Sequence, residues 1–269
     1  MIGVLAVGLV LAAALDECEA CKPKKLCVEH AEREREVISE REPELESEDP
    51  AERTAALRAL AALSEDHANA PSKEAARLLS AALEDESLTV RAVAAELLAR
   101  GQDPETAVGG LVGLLEDIQR GLGRGDLVAS IQRDESPAAA SEAMEYLQRV
   151  LRAAGGLPDD RTAGALKDVL VALPWETRGQ PLGRAAVEAV LELGVQDGVE
   201  AVIGLLDPFE ETPEVRSVHE ALATFARLSE LEDPPAWGPN ARSDWRGWEK
   251  RNVRRLPKRI GRMELPAPE

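Results

Sequence analysis

The chain has 269 residues, and its 50 acidic residues outnumber its 32 basic ones, which gives a formal net charge of −18. This charge argues against a general nucleic-acid-binding protein, because binding the phosphate backbone requires a positive surface. Four Trp, two Phe and one Tyr are the only aromatic residues. Their scarcity, together with abundant Ala, Leu and Glu, argues against a β-rich fold and favours an all-α one.

An apolar run covers residues 1–15. A membrane-spanning helix needs roughly 18 or more apolar residues, so this run is short for an anchor. Ala12, Ala13 and Ala14 stand before a polar stretch, as at the end of a secretory signal, although no Lys or Arg precedes the run. We therefore predict a signal peptide over 1–15 and an exported protein, periplasmic or secreted, with no stable membrane insertion. A short buried helix is the alternative.

Segment 16–30 contains the three cysteines of the chain and a histidine, in the spacing C-x2-C-x5-C-x2-H. Two pairs of ligands, each pair separated by two residues, can surround one tetrahedral zinc ion. The pattern therefore indicates a candidate Cys3His zinc site. In an oxidising compartment two of the cysteines could instead form a disulfide and leave the third free. The candidate ligands are Cys18, Cys21, Cys27 and His30.

The next segment, 31–48, is acidic and has few apolar residues. Across 29–52 there are eleven Asp or Glu residues against three Arg. We predict a solvated helix in the first part of this segment and a flexible spacer in the remainder, since Pro43 and Pro50 interrupt it.

From Asp49–Pro50, a typical helix start, the pattern changes. Apolar residues recur at helical spacing in segments of about 12 residues joined by short loops, which is typical of antiparallel helix pairs. A glycine-containing stretch, 118–136, interrupts the series and predicts a long loop or a distorted helix. The predicted helices cover 50–63, 72–84, 88–101, 104–116, 137–153, 160–173, 182–194, 196–206 and 213–228.

Residues 85–101 contain Asp, then Val-Arg, then Ala-Ala, then Leu and Gly, and Val215–Arg216 repeats the Val-Arg element. This series resembles HEAT or armadillo-type repeats over 49–232. The resemblance implies an α-α superhelix, a HEAT-like solenoid of stacked antiparallel hairpins. Stacking is also required physically, because hairpins that each bury one apolar stripe are not stable alone.

The family resemblance also implies a structural ladder, in which arginines pair with aspartates of neighbouring repeats. By position, the arginines are Arg91, Arg184 and Arg216, and the candidate partners are Asp103 and Asp197.

The last segment, 233–269, contains three of the four Trp and a cluster of basic residues. It resembles the Trp-rich ending of exported bacterial HEAT-repeat proteins. Trp245 and Trp248 are three residues apart, so one helix face carries both, and we predict that they cap the final repeat. A ligand-binding aromatic surface is the alternative. Nine Lys or Arg between 242 and 262 predict a tail that folds back on the acidic repeats. Binding to an anionic partner or to anionic lipid is the alternative.

No nucleophile elbow, Walker loop, His-Glu-x-x-His or dinucleotide fingerprint occurs, and the chain has only three His. We therefore predict a non-enzymatic scaffold for protein–protein interaction, whose partner has a basic surface and whose binding weakens with salt. A metal-binding or redox-responsive module built on the N-terminal cysteines and a helical-repeat, lyase-like enzyme are the alternatives. The helices expected to line the concave side cover 72–84, 104–116, 161–173 and 198–206.

Overall fold

The computed structural model describes residues 28–65, 73–101, 103–123, 137–173, 181–206, 212–229, 231–238, 240–258 and 260. In this part of the chain there are eleven α-helices, short 3-10 turns at Ala82–Glu84 and Val253–Arg255, and no β-strand, so the predicted all-α class is confirmed. The helices are α1 Val28–Leu45, α2 Pro50–Glu65, α3 Lys73–Ala81, α4 Leu88–Arg100, α5 Pro104–Gly123, α6 Pro137–Gly155, α7 Asp160–Ala172, α8 Pro181–Leu193, α9 Gln196–Gly204, α10 Pro213–Leu228 and α11 Ala241–Asn252.

Local signals in the sequence explain where these helices begin. A proline is favourable at the first helical position, because its missing N–H would have no partner there and its φ is already helical. Side chains just before a helix accept bonds from the free N–H groups of its first turn: Asp49 Oδ1 from Ala51 at 2.8 Å, and Asp159 Oδ1 from Arg161 at 2.8 Å. Five of the helices begin with proline: Pro50, Pro104, Pro137, Pro181 and Pro213.

The helices pack in two rows, and from α2 onward successive helices alternate between them. In the first row α1, α2, α4, α6, α8 and α10 each pack against the next, and in the second row α3, α5, α7, α9 and α11 do the same. Consecutive helices of the two rows also contact each other, in the pairs α2–α3, α4–α5, α6–α7 and α8–α9. The packed helix pairs predicted from the sequence are therefore present.

The apolar core fills the space between the two rows. Each helix buries one stripe of mainly Ala, Leu and Val, and helices with neighbours on several sides, such as α8, are buried over most of their length. Helices α6 and α8 approach each other closely: a Cβ on Gly155 would lie 2.9 Å from the Cα of Ala189. Only glycine fits at Gly155, which lets these two helices pack nearly backbone to backbone.

The acidic stretch differs from the expectation, whereas the described part of the glycine-containing stretch follows the distorted-helix alternative. Helix α1 continues to Leu45, farther than the solvated helix expected for the first part of the acidic segment, because half-buried Val37, Ile38 and Leu45 lie on the side that packs on α2. Helix α5 continues to Gly123, so the first part of the interrupted stretch is helical; residues 124–136 lie outside the described residues.

The prediction of the arginine ladder is wrong, because the three arginines do not pair with the expected aspartates. Arg184 pairs with Glu188 at 2.8 Å and Arg216 with Glu220 at 3.6 Å, each one turn along its own helix. Arg91 Nε donates to the backbone oxygen of Asp85. These exposed or local contacts replace the cross-repeat pairs with Asp103 and Asp197, because one-turn neighbours on a helix are already within reach.

Other arginines do connect neighbouring helices. Arg53 donates from Nε and Nη2 to both carboxylate oxygens of Asp85, at 2.9 Å each. Arg149 donates two hydrogen bonds to the carboxylate of Glu96, at 2.7 and 2.9 Å. Arg161 donates two to the carboxylate of Glu105, at 2.8 and 3.0 Å. The partners are 32, 53 and 56 residues apart, so their pairing was not readable from local sequence patterns.

The C-terminal segment closes the array. Trp245 and Trp248 are 0% exposed, as the predicted cap requires, and their ring centroids lie 5.0 Å apart. Helix α11, which carries them, packs on α9 at the end of the second row. The chain then turns back: Gln196 N donates to Pro257 O at 3.0 Å, and Ile260 N donates to Asp160 Oδ1 at 2.9 Å. Through residue 260, the basic tail therefore folds back on the preceding helices as predicted, across the starts of α9 and α7.

Candidate functional site

A groove of about 840 Å³ lies where α3, α4, α5 and α6 meet. It arises from a mismatch in length within the second row, since α3 has 9 residues and α5 has 20. At 1.5 Å per residue these helices are about 14 and 30 Å long. Ser80 and Leu83, at the end of α3, lie next to Gly110 near the middle of α5, so the second half of α5 extends beyond α3.

The floor of the groove is apolar. Helices of both rows contribute to it, and most of its side chains also belong to the core. Tyr146, the one tyrosine of the chain, is 8% exposed, and its burial raises the pKa of its hydroxyl although the Arg91 guanidinium opposes this shift. The apolar floor residues, with this ring, are Leu83, Leu88, Leu114, Ile118, Tyr146 and Leu147.

The rim of the groove is acidic. Four exposed carboxylates line it against two guanidinium groups, so the lining is net negative. Arg120 is bound to Asp117 one turn away, and Arg91 is held by the backbone of Asp85. A cation approaching the rim is therefore attracted, and an anion is repelled. The four carboxylates are those of Glu84, Glu116, Asp117 and Glu142.

Two glycines of α5 open onto the groove without a packing reason. A Cβ on Gly109 or Gly113 would meet nothing within 4 Å, whereas one on Gly110 would lie 3.0 Å from Leu83 Cδ1. Glycine inside a helix is less favourable than alanine by about 1 kcal/mol. The two glycines leave the α5 backbone bare along one turn of the groove wall.

Because these two positions are open, Gly109→Ala and Gly113→Ala are each expected to raise the free energy of unfolding by about 0.5–1 kcal/mol. Urea denaturation measures the change. Gly155→Ala is the matched control and is expected to destabilise, since its Cβ would meet the α8 backbone at 2.9 Å. A loss of stability in Gly113→Ala would show that the groove wall is packed rather than open.

The metal or disulfide site predicted from the sequence does not involve the residues of the groove. Cys18, Cys21, Cys27 and the side chain of His30 lie outside the described residues, so the zinc site and the disulfide stay predictions. Within the ranges that the structure describes, no group of three or more His, Cys, Asp or Glu residues could hold a metal ion. In the same ranges, none of the helices combines the length and the apolar character that crossing a bilayer requires.

His219, on α10, is a buried titratable residue that packs against the tryptophans of the C-terminal segment. Its ring lies edge-on to Trp237 at 5.0 Å and to Trp245 at 5.7 Å, and its Nε2–H donates to Pro235 O at 3.1 Å. Burial lowers the pKa of this imidazole, although the hydrogen bond to Pro235 opposes the shift. Nearby Glu220 also raises its pKa, and Arg216 and Arg227 lower it.

We expect the cap to lose stability on acidification because of His219. The unfolded chain binds a proton below about pH 6.5, the ordinary value for histidine, whereas the folded chain does so only at lower pH. Stability therefore falls as the pH drops from about 6.5 to the folded pKa. Urea denaturation at several pH values between 5 and 7.5 measures this slope. His219→Gln should reduce it, and an unchanged slope in that variant would assign the effect to other groups.

Sequence reasoning did not predict the groove. The segments 72–84 and 104–116, predicted to line a binding surface, both contribute to it. The available signal was Gly109 and Gly113. The difference in helix length was not available, because the sequence analysis predicted two segments of equal length.

Comparison with protein-family models and with curated proteins found no relative of this chain. No protein-family model matches the chain, and no curated protein matches it. The fold itself defines the class: an all-α protein of packed helix pairs.

Proposed function

We propose that the chain is a HEAT-like solenoid that acts as a non-enzymatic scaffold and binds another protein through a basic surface of that partner. The alternation of two helix rows supports the solenoid, because each row continues by packing the same kind of helix on the last. In this proposal the second row lines the concave side, and residues 1–15 direct the chain to the periplasm or the exterior.

The observation that carries this function is the groove with its apolar floor and acidic rim. Leu88 and Leu114 are the half-buried side chains of the floor, and they supply affinity when a partner removes them from water, while the polar rim supplies orientation. A net negative rim favours a basic partner and speeds its approach. Second-row helices α3 and α5 form one part of the groove, and first-row helices α4 and α6 form the other.

The test is capture of the partner from intact cells by proximity labelling, followed by a pulldown with purified chain. We expect a captured protein whose retention falls as salt rises from 0.1 to 1 M, because the screening length shortens from about 10 to about 3 Å. Glu116→Lys with Glu142→Lys should abolish retention. The matched control is Glu192→Lys with Glu220→Lys, two exposed carboxylates between α8 and α10, which should retain the partner.

Retention that is indifferent to salt and to the groove charges would contradict the proposal. Fractionation of cells with N-terminal sequencing of the recovered chain tests the compartment, and a chain that keeps residues 1–15 in the cytoplasm would contradict export.

A further inference from the structure

The groove is about as long as a short helix that would continue the second row beyond the end of α3. Ser80 and Leu83 lie beside Gly110, and α5 continues from there to Gly123, over about 20 Å or somewhat more than three turns of α-helix. On its other side α5 is packed along α7, its next neighbour in the row. A helix placed beyond the end of α3 would occupy the same kind of position against α5 that α7 occupies.

The chemistry of the floor favours a helix over an extended peptide. The backbone groups of the four surrounding helices are used in their own hydrogen bonds, and the floor presents Leu, Ile and Tyr side chains. Among the described residues that line the groove there is no Asn or Gln to bond an extended backbone. A helix satisfies its own backbone groups, so it can bury an apolar face here without leaving unpaired N–H or C=O groups.

The wall and the rim of the groove indicate how closely the bound helix can approach α5 and which charges it carries. Gly109 and Gly113, one turn apart on α5, have no side chain to hold a neighbour away, so a helix can approach α5 more closely than the usual 8–10 Å between axes. The rim carries Glu84, Glu116 and Glu142 in addition to the Asp117–Arg120 pair. Basic residues on both sides of an apolar stripe would meet these carboxylates.

From these features we infer that the groove binds a short amphipathic helix of the partner protein, about three turns long, with an apolar stripe flanked by Lys and Arg. The inference rests on the proposed function and adds the conformation of the bound segment. An extended basic peptide, a second copy of the chain and a segment of the chain itself are other occupants, and the experiment separates them.

The experiment is a selection from displayed libraries of 14-residue peptides on the full chain. One library varies an amphipathic helical frame, and the other carries a central proline that prevents a helix. We expect binders only from the helical library, with Leu, Ile or Phe at i, i+4 and i+7 and with Lys or Arg beside them. Binders from the proline library, acidic binders, or no binders at all would overturn the inference.

A selected peptide is then measured by fluorescence anisotropy against groove variants. Gly113→Leu places a side chain on the bare wall of α5, and Glu116→Lys reverses one charge of the rim. Each substitution should weaken peptide binding at least tenfold. The matched control is Gly164→Leu on α7, where a Cβ also meets nothing within 4 Å; it should change binding less than twofold. The thermal midpoint of each variant confirms that it is folded. Equal binding to wild type and Gly113→Leu would overturn the inference.

Three further results decide between the occupants. Self-association of the chain that the peptide displaces would assign the groove to a second copy. Tenfold tighter peptide binding after removal of 126–134 would assign it to the chain itself. A partner protein captured in cells that depends on Glu116 and Glu142, but does not compete with the helical peptide, would reject the helix and keep the scaffold. Loss of both would reject the two proposals together.

Discussion

Trp248→Ala is expected to lower the free energy of unfolding by about 3–5 kcal/mol, the usual cost of removing a fully buried Trp side chain. Trp248 is 0% exposed and packs edge-on against Trp245. Its Nε1–H donates to Glu232 O at 3.0 Å, which ties α11 to the chain that leads into it. The alanine variant loses both the packing and this bond, so the end of the second row is exposed to water.

Urea denaturation followed by far-UV circular dichroism measures the Trp248 effect. Leu228→Ala is the matched control, because Leu228 is 80% exposed and its removal should change stability by less than about 0.5 kcal/mol. A loss below about 1 kcal/mol in Trp248→Ala would contradict the capping role. In the proposed solenoid each hairpin contacts mainly its neighbours, so we also expect the variant to unfold in two steps, with the C-terminal hairpins first.

Arg53→Ala is expected to cost about 3 kcal/mol, because it breaks an ion pair that is largely removed from water. The side chains of Arg53 and Asp85 are 6% and 15% exposed. Besides its two bonds to Asp85, Arg53 Nη1 donates to Ser47 O at 2.6 Å. One guanidinium thus joins the α1–α2 connection to the turn between α3 and α4, and its loss leaves the Asp85 carboxylate without its cation.

The control for Arg53 is Arg216→Ala, since both arginines occupy the fourth position of a helix that begins with proline. Arg216 and Glu220 are 66% and 65% exposed, and exposed pairs contribute about 0–1 kcal/mol. A double-mutant cycle of Arg53→Ala and Asp85→Ala measures the coupling directly. Equal costs for the Arg53 and Arg216 variants would show that burial does not strengthen the pair.

The cap and the folded-back tail act on the same end of the molecule. Tail residues 257 and 260 bond to the starts of α9 and α7, and Leu256 and Ile260 pack against the core. The basic tail therefore has a structural use within the chain, since it bonds to both the α6–α7 and the α8–α9 hairpins. This explains how a segment of like charge can be held on an otherwise acidic protein.

Short-range chemistry made most of the helices predictable. Every segment predicted between 50 and 228 is helical in the described residues, and the proline and aspartate starts are correct. These features depend on hydrogen bonds and apolar spacing within a few residues, which a sequence displays directly. The burial of Trp245 and Trp248 was predictable for the same reason, since two residues on one helix face are buried together.

Longer-range features depended on tertiary packing. The pattern Pro-x-x-Arg is the same at Arg53 and Arg216, yet only Arg53 is buried, because its partner Asp85 reaches it from a turn 32 residues away. The groove likewise exists because α3 stops beside the middle of a longer neighbour, α5. Local spacing determines which residues become helix, whereas the side-by-side placement of helices determines which charges pair and where the surface stays open.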